Sequence, residues 1–365
     1  MLFKKCVLMS GFILLMAMLN FADANQNYIV SFVAGKSGLG YVSVRQTDPL
    51  FFHLDYEITV EKPSITPLEH TFGTTAVLTY RSFWDGDVYY DVYATYSGDA
   101  ANPVKAKVFS FNADQGLTYE QKIQDPGQFH PLHLFRPFDQ LRLLAAGPFG
   151  TTKANDYVSY PLYSSSNERH IFVNPANRSA ATAAVAPDGG LTTQMTFAGV
   201  NHVASGRVLN SNGNPIGRPF QLFNVNDFHG YSQSLSNPIS SGTSIISYLA
   251  YRNFRDPGTV KGKSEVVIQN VDAKTGQKQG KPWNITNFAK ALNVEAEKSQ
   301  SIALSPNGGL ILYTMWNDSC KKQILLASSL VNGSTVGKPK VVVGCRQLEQ
   351  YEVGVYGISI AEKVQ

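Results

Sequence analysis

Histidine is the residue most suggestive of chemistry in this 365-residue chain, and it recurs in one kind of place. His70 in Leu68-Glu69-His70-Thr71, His130 in Gln128-Phe129-His130-Pro131 and His229 in Asp227-Phe228-His229-Gly230 each lie just ahead of a strand-like segment. His202 falls in a turn between two such segments. If these positions converge, the imidazoles meet the carboxylates Glu69, Asp125 and Asp227, a set suited to a divalent metal or to acid–base work. A second candidate is aromatic: Phe83-Trp84-Asp85-Gly86-Asp87 leads into the Tyr-rich run 89–96. Exposed Trp84 could stack a sugar ring or anchor a protein partner, whereas alternation assigns most of the tyrosines to packing. Sulfur supplies a third candidate, the pair Cys320 and Cys345.

These residues act together only if the elements around them repeat, and the chain does repeat. Gly213 to Pro219, Gly276 to Pro282 and Gly333 to Pro339 share the pattern G-x-x-x-G-[RK]-P, at spacings of 63 and 57 residues. Each has an alternating strand before it and a second strand expected after the proline, which reads as a hairpin on an outer sheet edge. Upstream, Ala184-Val-Ala-Pro187-Asp188-Gly189-Gly190-Leu191 matches Ala303-Leu-Ser-Pro306-Asn307-Gly308-Gly309-Leu310, with a degenerate copy at 233–238. One unit is therefore a four-stranded antiparallel meander, with the Pro-Asp-Gly turn joining its first two strands and the glycine hairpin its last two.

Extending this template along the chain gives an all-β, six-bladed β-propeller at a mean pitch of about 57 residues. Strands at 75–81, 88–96, 105–111 and 117–123 form one blade, and 132–136, 140–146, 157–163 and 170–173 another. The first blade has strands at 28–33, 41–45 and 51–56, and a lone strand at 355–361 completes it, pairing the two chain ends. Seven blades is the alternative, with extra strands in the linker 62–73. The histidines then gather at the channel mouth.

At its Pro-Asp-Gly and Pro-Asn-Gly turns the chain resembles the TolB-type family of exported propellers, whose blades carry a similar Ser-Pro-Asp-Gly turn. The match covers two blades well and a third poorly; Ala186 stands for the serine in one copy and Asn307 for the aspartate in the other. The resemblance implies an interaction platform in the periplasm and transfers no catalytic residue.

Residues 1–24 read as a secretory signal, with Lys4 and Lys5 ahead of an apolar run and Ala22-Asp23-Ala24 as the small-x-small cleavage site. Residues 25–365 then form a single propeller domain, periplasmic or secreted, with no transmembrane anchor. Net charge is +4, or +3 once Lys4, Lys5 and Asp23 are removed, too weak a field to imply nucleic acid. A composition of 43% hydrophobic and 16% charged residues with 30 Gly and 18 Pro suits short strands and many turns.

In an oxidising compartment the cysteines are expected to pair. Around an Asn332-Gly333 turn, paired positions sum to 665, as Cys320 and Cys345 do. No nucleophile elbow, phosphate loop or zinc-protease motif occurs. Three functions stand: a non-catalytic binding protein for a protein, peptide or glycan, without a cofactor; a carbohydrate- or lactone-directed hydrolase or lyase using the histidines and carboxylates, with or without a divalent metal; and a structural envelope or surface component. Fold alone does not choose among them.

Overall fold

The computed structural model describes residues 26–34, 38–47, 57–60, 64–67, 77–85, 88–95, 105–112, 116–122, 130–135, 142–146, 156–161, 169–173, 179–198, 201–210, 214–222, 233–239, 241–252, 263–285, 294–295, 301–351 and 354–362. Secondary structure is almost wholly antiparallel strand.

The repeat unit read from the sequence is the structural unit. Ser179–Val185, Leu191–Ala198, Asn201–Leu209 and Pro215–Gln221 form one four-stranded meander. Gln233–Leu235, Thr243–Arg252, Lys263–Asp272 and Lys278–Asn284 form the next. A third has Ile302–Leu304, Leu310–Asn317, Lys322–Val331 and Ser334–Val343, with the short Val294–Glu295 added beside Leu310–Asn317. Upstream, two meanders are fused into one eight-stranded sheet by a single parallel bridge between Arg81 and His133.

Within a meander the strands differ in composition because they differ in surroundings. Lys322–Val331 is buried at every position but its two ends, as a strand sandwiched between neighbouring sheets must be, so it reads Ile-Leu-Leu-Ala rather than alternating. Ser334–Val343 lies at the outer edge and is exposed at half of its positions. The main apolar core runs through Val30, Phe32, Val44, Ile311, Leu325 and Ile360, which draws the two chain ends into the same cluster as the 302–343 blade.

The ends pair as expected. Val355–Glu362 is antiparallel to Gln26–Ala34, from Tyr28 opposite Glu362 to Ala34 opposite Val355. The terminal blade thus takes its innermost strand from the end of the chain. Its outer strand corrects the sequence reading: Glu57–Val60 and Ser64–Pro67 both pair with Gly38–Thr47, and residues 51–56 lie outside the described residues. The linker segment at 64–67 therefore extends the terminal blade's outer edge.

A second correction concerns the G-[RK]-P repeats. The outer strands begin before the proline and run through it. In the 179–221 blade, Val208 faces Ile216 and Gly206 faces Phe220, so the three residues Gly217-Arg218-Pro219 oppose one. The same bulge recurs at Gly280-Lys281-Pro282 and at Gly337-Lys338-Pro339. All three glycines adopt positive φ, between 66 and 70°, which a side chain would oppose. Proline costs the ladder nothing here because an outer strand has no further strand to donate to.

The third correction is the register below the Asn332-Gly333 turn. Both turn residues have positive φ and Val331 faces Ser334, as a two-residue hairpin requires. Two bulges then shift the sum of paired positions from 665 to 667 and finally 668, where Leu325 faces Val343. Cys320 and Cys345 are nevertheless bonded, with Cα atoms 5.8 Å apart. A 3₁₀ turn, Cys345–Leu348, folds the chain back after the strand and makes up the slip. Lys322 Nζ donates to the Leu348 carbonyl at 2.6 Å and holds that turn in place.

Candidate functional site

The sequence candidates divide. His70, Asp227 and His229 lie outside the described residues, as do Glu69 and Asp125. His130 opens the strand His130–Phe135 and pairs with Ala146, whereas the sequence reading had it ahead of the strand. His202 is the second residue of Asn201–Leu209, facing Phe197, and so sits inside the strand beside the turn. Trp84 likewise belongs to a strand, Val77–Asp85, opposite Tyr89. Antiparallel order puts the His130 and His202 backbones at the same end of their blades. Among the described residues no group of three or more His, Cys, Asp or Glu is placed to hold a metal.

The polar constellation that the structure does assemble is one the sequence reading missed, at the turns joining first and second strands. Both repeat copies close alike. Ala186 N–H donates to the Leu191 carbonyl and Ser305 N–H to the Leu310 carbonyl, at 2.7 and 2.8 Å. The Asp188 and Asn307 side-chain oxygens accept from the N–H two residues on, Gly190 at 2.8 Å and Gly309 at 2.9 Å. An Asx oxygen in this position replaces a backbone turn bond, which is why Asp and Asn interchange there.

Each turn also grips the next blade. Asp188 N–H donates to Asn237 Oδ1 at 2.8 Å, and Asn237 N–H donates to the Pro306 carbonyl at 2.7 Å. The relay ends on the terminal blade. Asn307 Nδ2 donates to the Tyr28 hydroxyl at 2.9 Å and to Glu362 Oε1 at 3.0 Å, touching the first and last strands at once. Tyr28 donates in turn to Gln46 Oε1 at 3.1 Å, and Gln46 Nε2 donates to the Gly309 carbonyl at 3.0 Å.

Burial decides the electrostatics of this latch. It pushes the Glu362 carboxyl up to about 7, with hydrogen bonds from Asn307 opposing the shift. Burial, aided by the charge of Glu362, also raises the Tyr28 phenol, which stays protonated and donating. What the cluster does is fasten two chain ends to a neighbouring blade through one asparagine.

The outer strands carry the other distinctive chemistry. Ile216, Trp283 and Val341 are large apolar side chains left 42–51% exposed, all on outer strands of consecutive blades. Trp283 is held in place, its indole N–H donating to Thr335 Oγ1 of the following blade at 3.2 Å. Phe220, which follows its proline as Trp283 does, lies over Gly206 in its own blade and over Gly276 in the next hairpin; an added Cβ at either glycine would come within 2.2 Å of the ring. No helix among the described residues is long and apolar enough to cross a membrane.

No family model and no curated protein matches the chain. Solved structures do, at low identity. A chain from a nidogen/laminin complex superposes with a TM-score of 0.51 and 12% identity, over 91% of this chain and 98% of that one. The periplasmic gluconolactonase of Pseudomonas aeruginosa gives 0.45 and 13% over 92% and 99%. The β-propeller domain of the Trilobed protease from Pyrococcus furiosus gives 0.35 and 11% over 72% and 71%. At such identities the likeness concerns fold, and it agrees with the strand order: the chain is an all-β propeller of four-stranded antiparallel blades.

Proposed function

We propose that this chain is an exported, non-catalytic propeller whose ring end docks a protein, peptide or glycan. The docking end is the one at which the inner strands begin and where the backbones of His130 and His202 lie. The observation that carries this reading is the double fastening of the scaffold: the terminal strands pair, and the turn relay ties their seam to the adjoining blade. A ring held at its seams keeps the described strand ends in fixed relation, and such preorganisation reduces the ordering cost of binding.

A count of six blades is supported by the contacts of the inner strands. Val77–Asp85, His130–Phe135, Ser179–Val185, Gln233–Leu235, Ile302–Leu304 and Val355–Glu362 pack in succession, and the last returns to the first. Export is supported by the disulfide, since such bonds persist in oxidising compartments, together with the signal-like residues 1–24. Residues 25–365 would then be one mature domain, periplasmic or secreted. A structural neighbour crystallised as a nidogen/laminin complex supports a protein as the partner class.

The test is metal content of the purified mature protein, repeated on His130→Ala and His229→Ala. Binding without catalysis predicts no stoichiometric metal and unchanged stability in both variants. Stoichiometric metal that both variants lose would overturn it in favour of a metal-dependent enzyme.

A further inference from the structure

The three G-[RK]-P bulges place Arg218, Lys281 and Lys338 at one and the same position on the outer strands of three consecutive blades. All three are exposed, and none has an ion-pair partner among the described residues. The strands that carry them, Pro215–Gln221, Lys278–Asn284 and Ser334–Val343, contain no Asp or Glu and add Lys278 and Lys340. Five positive charges and no acid on these three strands compare with 31 Lys and Arg against 27 Asp and Glu in the 365-residue chain, so the outer wall of this half-ring carries a local excess of positive charge.

These edges are unsuited to pairing with a strand from another chain. Each is interrupted by a bulge and by a proline with no N–H, which blunts the backbone as a template. Contact there must therefore be made by side chains. The side chains on offer are regularly repeated cations together with Trp283, 42% exposed and oriented by Thr335 across the seam between the second and third blades.

We propose that this wall binds a linear polyanionic glycan of the polyuronate class, laid across successive blades. Carboxylates repeated along the polymer pair with Arg218, Lys281 and Lys338 in turn, and a sugar ring stacks on the indole of Trp283. A chain-like ligand suits the geometry because the cations follow the curve of the ring, one blade at a time, where a flat bilayer meets one blade only. This surface is separate from the docking end proposed above and stands or falls independently of it.

The experiment is calorimetric titration of the mature protein with polygalacturonate, with neutral dextran as the uncharged comparison. The proposal expects polygalacturonate to bind, dextran not to, and affinity to rise with polymer length until the chain spans successive blades. Arg218→Glu, Lys281→Glu and Lys338→Glu combined should weaken binding about tenfold or more. Arg45→Glu, Lys321→Glu and Arg346→Glu combined change the net charge equally at exposed positions elsewhere and should have a much smaller effect. Three outcomes overturn the proposal: no binding of polygalacturonate, equal weakening by both triple variants, or tighter binding to phosphatidylglycerol vesicles or single-stranded DNA than to polygalacturonate. Melting curves matching the parent show that each triple variant is folded.

Discussion

Asn307 and Glu362, 55 residues apart in sequence, are joined by a 3.0 Å hydrogen bond that ties the turn of one blade to the final strand of the ring. The same Asn307 nitrogen donates to Tyr28 on the first strand, so a single amide spans the closure of the chain. Because burial raises the Glu362 carboxyl to about 7, this closure is sensitive to pH.

The sign follows from which state holds the proton. Glu362 has an ordinary value near 4.5 when unfolded and about 7 when folded, so between those values the folded state binds the proton more tightly. Its contribution is fully present below 4.5 and is lost as pH rises through 7. Glu362→Gln retains an acceptor for Asn307 without the titration. Urea unfolding should show the variant more stable than the parent at pH 8, by on the order of 2 kcal/mol, with the difference vanishing near pH 4. A pH-independent difference would contradict the account.

Reduction should cost the 302–343 blade its outer brace. The Cys320–Cys345 bond closes a loop of 25 residues, a length for which chain entropy gives about 3 kcal/mol. Replacing both cysteines by serine should lower unfolding stability by about that amount, and mass measurement with alkylation should find no free thiol in the native parent. Two alkylatable thiols would refute the bond.

Two glycines with the same backbone conformation should respond differently to alanine. Gly217 has φ +67° and nothing within 4 Å of an added Cβ, so Gly217→Ala should cost only the backbone penalty, about 1 kcal/mol. Gly276 has φ +72° and the Phe220 ring 2.2 Å from that Cβ. Gly276→Ala should therefore cost about 2–4 kcal/mol, and less when introduced beside Phe220→Ala. Equal costs at the two glycines would show that Phe220 does not seat on the neighbouring hairpin.

The terminal strand enters through a narrower point. An added Cβ at Gly354 would lie 2.3 Å from the backbone N and O of Gln323, atoms that cannot swing aside as a flexible side chain can. Gly354→Ala should displace the strand that follows and lower stability by about 2 kcal/mol or more, measured by urea unfolding. A neutral effect would contradict the close approach.

Much of the fold was legible because repetition encodes it. The Pro-Asp-Gly turns and the G-[RK]-P segments located the same two connections in successive blades, and the terminal strand at 355–361 lacked partners except at the other chain end. Register was less legible. Bulges of one or two residues leave no mark in apolar alternation, so the Cys320–Cys345 match to a sum of 665 identified the right pair by a route the strands do not take. The latch was missed because Tyr28, Gln46, Asn307 and Glu362 come from four separate segments, and only the closed ring brings them together. Among the histidines, the sequence could rank positions within a blade, but convergence depends on loop conformation that no local spacing encodes.

Closure of the ring requires that Val355–Glu362 lie against Gln26–Ala34. Ser31 faces Ser359 across that pair, and both side chains are buried. Ser31→Cys with Ser359→Cys, expressed with export and analysed by mass spectrometry after alkylation, should yield a second internal disulfide joining peptides from the two chain ends. Recovery of both introduced cysteines as alkylated thiols, with the Cys320–Cys345 bond intact, would contradict the closed ring.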